Sequence, residues 1–323
     1  MKNVFFIISQ PRSGSSMLQQ IISSHLQVKS LPEPWFMLPF AYMLKNNVKD
    51  KTADYNYKYF HTNFDRYLNQ IDSEKEILVA SLRNCVLGLY SKALEDRNEL
   101  FFLDKTPRYY HIIPEIKKIL PDSKIILLSR NPLNVFSSML SYNFNGNISP
   151  FKERDRICDL LLAPYEIIKF KENPSFFFIK YEDIIKKPKN ILPSLFEYLN
   201  LSTSEASSLG EYTVQPIFAN SEHVDTKSSI KHNKPVKDYL DSWKESIDDF
   251  QKKMLAKQYI TKLGKENFEK LGYSYEETLK SLKAHKVRFC IPVITFNQLT
   301  GEFPEKIKLV LIALYRIQKY LWL

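Results

Sequence analysis

Residues 3–16 read NVFFIISQPRSGSS. The first seven, 3–9, are a continuous apolar run of strand length, the pattern of a parallel strand buried on both faces. Residues 10–15 have the composition of a loop. From Ser16 to His25, Met17, Leu18, Ile21 and Ile22 fall on one face, which predicts a helix. Strand, glycine-bearing loop and helix N-terminus in that order make an anion cradle. Gly14 lets the backbone approach, successive N–H groups point inward, and the helix dipole adds positive potential. Ser13, Ser15 and Ser16 offer hydroxyls, and Arg12 brings a planar cation. The plain alternative is an ordinary strand-to-helix turn with Ser13 or Ser15 as N-cap. Glycine scarcity weighs against it: the chain has 7, where average usage would give roughly 23. The triphosphatase loop G-x-x-x-x-G-K-[ST] is absent, because no glycine stands four or five residues before Gly14 and no lysine follows it.

The same logic recurs along the chain. LFFLDKTPR (100–108) precedes a predicted helix over 110–119, KIILLSRNP (124–132) precedes one over 133–142, and SFFFIKYED (175–183) runs into another. Val28–Leu31 reads as a short second strand ending in Pro32-Glu33-Pro34, and residues 35–97 as mainly helical, with a long amphipathic stretch from Glu74 to Arg97. The alternation implies an α/β fold: a parallel sheet flanked by helices, with a P-loop-like loop after strand 1. Such sheets bind ligands beyond the carboxyl ends of their strands. There the sequence places residues 10–16, Glu33, Asp104-Lys105-Thr106, Ser129-Arg130-Asn131 and Tyr181-Glu182-Asp183. Cations and hydroxyls converge there with one isolated carboxylate, Glu33, and the edge reads as an anion site.

Composition narrows the remaining classes. The 323 residues carry 46 Lys+Arg against 36 Asp+Glu, a formal charge of +10, but spread without a block of the nucleic-acid-binding type. A hydrophobic content of 44% excludes wholesale disorder. Cys85, Cys158 and Cys290 are far apart and the six histidines scattered, so neither a disulfide scaffold nor a zinc site is expected, and a reducing compartment is. MKNVFFIISQ has no long apolar signal region and no cleavage site; the expectation is a first strand and a cytoplasmic protein. Abundant Lys, Asn and Ile point to an AT-rich, bacterial source. The last residues, IKLVLIALYRIQKYLWL (307–323), have an uninterrupted apolar core of only Leu309–Tyr315, too short for a span needing about 20 residues. Packing on the domain, a dimer contact and peripheral membrane contact all remain open for this tail.

PRSGSS after the first strand resembles the 5′-phosphosulfate loop of sulfotransferases that use 3′-phosphoadenosine 5′-phosphosulfate (PAPS). The second half of that signature is also present. Arg130 closes KIILLS, and Ser138 follows eight residues later in RNPLNVFSS. In the family such an arginine and serine grip the 3′-phosphate; alone, Arg130 would read as a strand-end ion pair. Asn134 stands where the family often carries Asp, a change expected to touch local capping. The E-P-W context of Glu33 resembles the glutamate base of the carbohydrate- and tyrosyl-type branch. The small-molecule branch instead keeps a histidine shortly after the third-strand lysine, where the nearest here is His111. By the same resemblance Lys105 lies near the sulfonyl group and Tyr181 near the nucleotide. Lys227-Ser-Ser-Ile-Lys-His-Asn-Lys234, ahead of Trp243-Lys244, resembles the late basic loop, without a clean arginine-lysine-glycine motif.

The resemblance covers residues 1–275 and leaves 276–323 as an extension. It implies a PAPS-dependent sulfotransferase acting on an acceptor hydroxyl of a carbohydrate, lipid or phenol. Glu33, Arg12 and Lys105 would be catalytic; Arg12, Ser13, Gly14, Ser15, Ser16, Arg130, Ser138 and Tyr181 would bind the co-substrate. No metal and no nucleic acid are called for; a small molecule or glycan would be the partner. The acceptor wall would come from residues 35–97 and 140–170, rich in aromatics such as Trp35, Phe36, Tyr42, Tyr55, Tyr57, Tyr59 and Phe60. Two rivals remain: a P-loop kinase or other nucleoside-triphosphate enzyme, which the missing loop lysine opposes, and a non-catalytic nucleotide-binding protein of the same fold.

Overall fold

A computed structural model describes residues 3–45, 57–71, 75–94, 98–143, 145–148, 151, 153–202 and 241–288. Five strands, β1 (Asn3–Ser9), β2 (Val28–Ser30), β3 (Phe101–Lys105), β4 (Lys124–Ser129) and β5 (Phe176–Lys180), form one parallel sheet in the order β2-β3-β1-β4-β5. The first half of the chain forms α1 (Ser15–Ser23), α2 (Met37–Leu44), α3 (Tyr57–Ile71), α4 (Glu76–Lys92) and α5 (Ile113–Ile119), of which α1, α2, α4 and α5 pack on the sheet. In the second half come α6 (Pro132–Ser138), α7 (Arg154–Ile157), α8 (Ala163–Phe170), α9 (Tyr181–Lys186) and α10 (Pro188–Tyr198).

The central strand explains the layering. Along β1, Val4, Phe6 and Ile8 pack with Val79, Leu82 and Val86 of α4 and Ile113, Ile116 and Ile119 of α5. Phe5 and Ile7 face the other way, onto Leu18, Ile21 and Ile22 of α1 and Leu192, Leu195 and Phe196 of α10. Side chains alternate across a strand, so a strand covered on both faces must be apolar at every position. Strand order then makes the crevice. The chain leaves β1 toward β2 on one side, whereas β4 leads on to β5 on the other, so the loops after β1 and β4 diverge.

A third core joins Leu133, Val135 and Phe136 of α6 to Leu255, Ala256, Tyr259 and Ile260 of the helix Phe250–Leu263. The helix Tyr275–Ala284 buries Leu282 in this core, and the Arg288 N–H donates to the Asp248 carbonyl at 2.9 Å. The basic loop 227–237 and residues 289–323, with the apolar tail, lie outside the described residues. No helix among the described residues is long and apolar enough to cross a membrane.

Two elements differ from their sequence expectation. The helix expected over 110–119 is split into a 3-10 turn, Pro107–His111, and α5, because Pro114 supplies no N–H and starts a new helix instead. The helix expected over 133–142 is α6 followed by a π-helical turn, Met139–Asn143. Asn131 caps it, accepting from the Leu133 N–H at 2.9 Å.

Asp104, on β3, is wholly buried and accepts hydrogen bonds from Tyr90 Oη (2.6 Å) and Thr106 Oγ1 (2.7 Å). Burial pushes its carboxyl up to about 6, against the pull of hydrogen bonds from Tyr90, Thr106 and Tyr109, and Glu33 adds a smaller push. The folded protein therefore binds a proton more tightly here than the unfolded chain does. Stability from this group is present below about pH 4 and is lost as pH rises through about 6. Urea unfolding of wild type and Asp104→Asn should show the difference in stability shifting in the variant's favour from pH 4 to 7. The shift should be up to about 3 kcal/mol, and a pH-independent difference would refute the assignment.

Candidate active site

The loop after β1 carries two left-handed residues, Arg12 at φ 71° and Gly14 at φ 90°, on either side of Ser13. Gly14 occupies the N-cap of α1, where the alternative reading expected serine, and makes no side-chain cap bond. Tyr181, at the start of α9, packs the Cδ2–Cε2 edge of its ring against Gly14. A β-carbon at that position would stand 2.5 Å from Tyr181 Cε2. Ser13 is fully buried, and its Oγ has no hydrogen-bond partner among the described residues. Ser15 is buried and Ser16 half-buried, both in the first turn of α1. Alternating left-handed backbone, a hydroxyl awaiting a partner and an uncapped helix start are together suited to a phosphate-like oxyanion.

From the neighbouring strand, Arg130 reaches the same place. Its Nη1 donates to the Arg12 carbonyl at 3.1 Å, and its guanidinium lies 4.5 Å from the centroid of the Tyr181 ring. Arg12 Nε in turn donates to Ser138 Oγ at 3.3 Å, and its guanidinium stacks 3.9 Å from the centroid of Tyr142. Arg130 is only 7% exposed. Burial lowers its proton affinity and Arg12 adds to that, while Tyr181 and Glu182 oppose it. Glu182 also accepts from the Asn131 N–H (3.0 Å) and Tyr273 Oη (2.7 Å), fixing the Arg130 loop to α9 and to the C-terminal helices.

The expected carboxylate is not isolated. Glu33 Oε1 pairs with Lys105 Nζ at 2.7 Å, and its Oε2 accepts from Trp35 Nε1 at 3.1 Å. The Lys105 side chain is 4% exposed and that of Glu33 22%. Gln19 ties this group to the loop helix: its Nε2 donates to Ser30 Oγ (2.7 Å) and to the Leu31 carbonyl (3.1 Å), so α1 grips the strand that leads to Glu33. The candidates thus gather in two clusters on one sheet edge, Arg12, Ser13, Gly14, Ser138, Arg130 and Tyr181 in one, Glu33 and Lys105 in the other.

Sequence reasoning passed over several contributors. Trp35 is read there as context for Glu33 and as part of the acceptor wall but not as a partner of the carboxylate, and Tyr142 is not named. Arg108 makes a bidentate pair with Asp159 (3.0 and 2.7 Å), and Tyr110 Oη donates to the same carboxylate at 3.0 Å. The signal was Asp159 itself, a carboxylate inside the apolar run CDLLL. His111 lies against Tyr110 with the two rings tilted by 39° and their centroids 4.2 Å apart; burial and the nearby cations Lys45 and Arg108 hold its imidazole down to about 4.

Comparison with known proteins gives this geometry its context. The model described as "Sulfotransferase family" matches residues 5–205, well over half the chain. "Nodulation protein NoeE" of Sinorhizobium fredii is 26% identical over 138 residues, 43% of this chain and 31% of that protein. The aligned regions span less than a third of the length of the curated relatives matched. Among solved structures, a sulfotransferase domain from the curacin biosynthetic pathway aligns with a TM-score of 0.48 and 20% identity, over 81% of this chain and 98% of the other. The sulfotransferase domain of the Synechococcus PCC 7002 olefin synthase gives 0.49 and 19%, over 75% and 88%.

Gly14→Ala tests the loop. The methyl would meet Tyr181, and φ 90° is strained for any β-carbon. Thermal or urea unfolding should show a loss of roughly 1–3 kcal/mol. Adding Tyr181→Ala should return the steric part only, since the backbone strain persists. An Ala variant as stable as wild type would contradict the packing described.

Proposed function

The chain belongs to the sulfotransferase family, and from that premise we propose that it transfers a sulfuryl group from PAPS to an acceptor hydroxyl. The observation that carries the reading is the link between the two separated motifs, Arg130 to the Arg12 carbonyl and Arg12 to Ser138. Two guanidiniums brought together in a largely buried setting suit a ligand with more than one negative charge. On this reading Arg12, Ser13, Gly14, Ser15, Ser16 and the start of α1 receive the 5′-phosphosulfate, and Arg130 with Ser138 receives the 3′-phosphate. Tyr181 supports Gly14 from below and faces Arg130, shaping both sites.

The acceptor oxygen forms its bond to sulfur as the sulfur–oxygen bond to the 5′-phosphate breaks, the electron pair leaving on the phosphate oxygen. The acceptor proton passes to Glu33. Lys105 has three N–H donors and spends one on Glu33. Once Glu33 takes the proton, Lys105 loses its counter-charge, and its field is freed for the negative charge growing on the leaving phosphate. Arg12 and the loop N–H groups act on the same charge. The acceptor is a small molecule or glycan with a carbohydrate, lipid or phenolic hydroxyl. Residues 1–275 are proposed as the catalytic domain and 276–323 as an extension whose tail packs on it, on a second copy or on a membrane surface, in a cytoplasmic protein.

Two measurements test this reading. The product nucleotide, 3′,5′-bisphosphoadenosine, should raise the melting temperature well above the shift given by equal AMP. Arg130→Ala should erase most of that preference, since charge-assisted hydrogen bonds contribute about 1.5–3 kcal/mol each. Equal shifts for the two nucleotides would favour a nucleoside-triphosphate enzyme.

Glu33→Gln should lower turnover by about 10²–10⁴ with nucleotide affinity nearly unchanged. Arg12→Ala should weaken both. Turnover of the Gln variant within a few-fold of wild type would remove Glu33 from the mechanism, and binding of 3′,5′-bisphosphoadenosine with no sulfuryl transfer to any acceptor would support the non-catalytic alternative.

A further inference from the structure

Trp35 stands at φ 58°, a left-handed conformation that a bulky residue adopts only when its surroundings over-determine it. A glycine would take the same backbone without steric cost. Three contacts hold the tryptophan there. Its carbonyl accepts from the Leu38 N–H at 3.1 Å, starting the first turn of α2. Its indole ring lies 5.8 Å from the Arg108 guanidinium, which the buried Asp159 holds by two hydrogen bonds. Its Nε1–H donates to Glu33 Oε2 at 3.1 Å, while Lys105 takes Oε1. Trp35 is still 38% exposed. It is not a core residue, and burial alone does not account for its placement.

We propose that Trp35 is a positioning residue for the base: its indole N–H and the Lys105 ammonium hold one carboxylate oxygen of Glu33 each, fixing the plane of the carboxylate toward the acceptor hydroxyl. The inference rests on the reading of Glu33 as base. A carboxylate offers about four acceptor sites, so two donors set its plane and leave sites for the incoming proton. Glu33 lies between Pro32 and Pro34 and is partly open to solvent; a single ion pair would leave the carboxylate free to turn about the Lys105 contact. The chain Asp159–Arg108–Trp35 carries rigidity from the buried side of the fold to that second oxygen. Proton transfer depends on placement within a few tenths of an ångström. The effect is therefore expected on turnover and not on nucleotide binding.

The test compares Trp35→Phe, which keeps a ring and removes the N–H, with Trp35→His, whose ring can carry an N–H at the equivalent position. Steady-state turnover with PAPS is measured for each, alone and combined with Glu33→Gln, together with binding of 3′,5′-bisphosphoadenosine and melting temperature. Trp35→Phe should lower kcat roughly ten- to a hundredfold, the weight of a hydrogen bond to a charged group. KM for PAPS and nucleotide binding should stay within about twofold, and Trp35→His should recover most of the lost rate. In the Glu33→Gln background, Trp35→Phe should cost almost nothing further, because the carboxylate it positions is gone. Equal loss in the Phe and His variants, a loss confined to KM, or full multiplication with Glu33→Gln would overturn the proposal. Wild-type turnover in Trp35→Phe while Glu33→Gln is slow would also overturn it, leaving Glu33 as base. A fast Glu33→Gln enzyme would overturn both readings, and melting curves separate any of these outcomes from a folding defect.

Discussion

The hydrogen bond from Arg130 to the Arg12 carbonyl depends on the order of the strands. It joins the ends of β1 and β4, neighbours in space but separated by more than a hundred residues of chain, and it brings two cations together at the switch point of the sheet. The Arg12 charge acts against that of Arg130, so the arrangement must be held by other means. Here the backbone does much of the holding. Arg12 meets Arg130 through its carbonyl and turns its own guanidinium onto Tyr142 and Ser138. Tyr181 lies beneath both Gly14 and Arg130, so one aromatic ring fixes the floor of the loop and the seat of the second cation.

The second cluster is built by different means. Where the loop after β1 uses glycine and left-handed backbone, Glu33 sits on a proline-flanked turn and is held through side chains. Gln19 connects the two because it leaves α1, reaches Ser30 and so fixes the end of β2, while Ser30 Oγ donates to the Leu103 carbonyl of β3 at 2.7 Å. The position of Glu33 relative to the loop is thereby tied to α1 and to the central part of the sheet. It does not hang on a free segment.

Much of this could be read in the chain because parallel strands covered on both faces must be apolar throughout. Asn3–Ser9 and Lys124–Ser129 satisfy that condition so fully that their ends, and the polar residues beyond them, stand out. Local chemistry was harder to read. Pro114 cut a helix that apolar spacing would have continued, since periodicity records which face is buried and not where the hydrogen-bond ladder breaks. Glu33 looked isolated because Lys105 lies 72 residues away in sequence, and an ion pair across two strands leaves no local pattern. The charged partners of Trp35 and Tyr142 escaped for a related reason: an aromatic side chain reads as packing or as pocket wall until its N–H or its ring face is seen on a charged group.

Two short π-helical turns, Met139–Asn143 and Cys158–Leu162, carry Tyr142 and Asp159, the side chains that face Arg12 and Arg108. A π turn holds one residue more than an α turn, so it rotates everything beyond it by about 100° relative to an unbroken helix. The angular setting of both side chains is therefore written in chain length as well as in residue type. Deleting a single residue from either turn would let an ordinary helix close and would swing its partner away from the arginine, even with every named side chain retained. Sequence change by insertion or deletion, more than by replacement, is the hazard to which these two arginines are exposed.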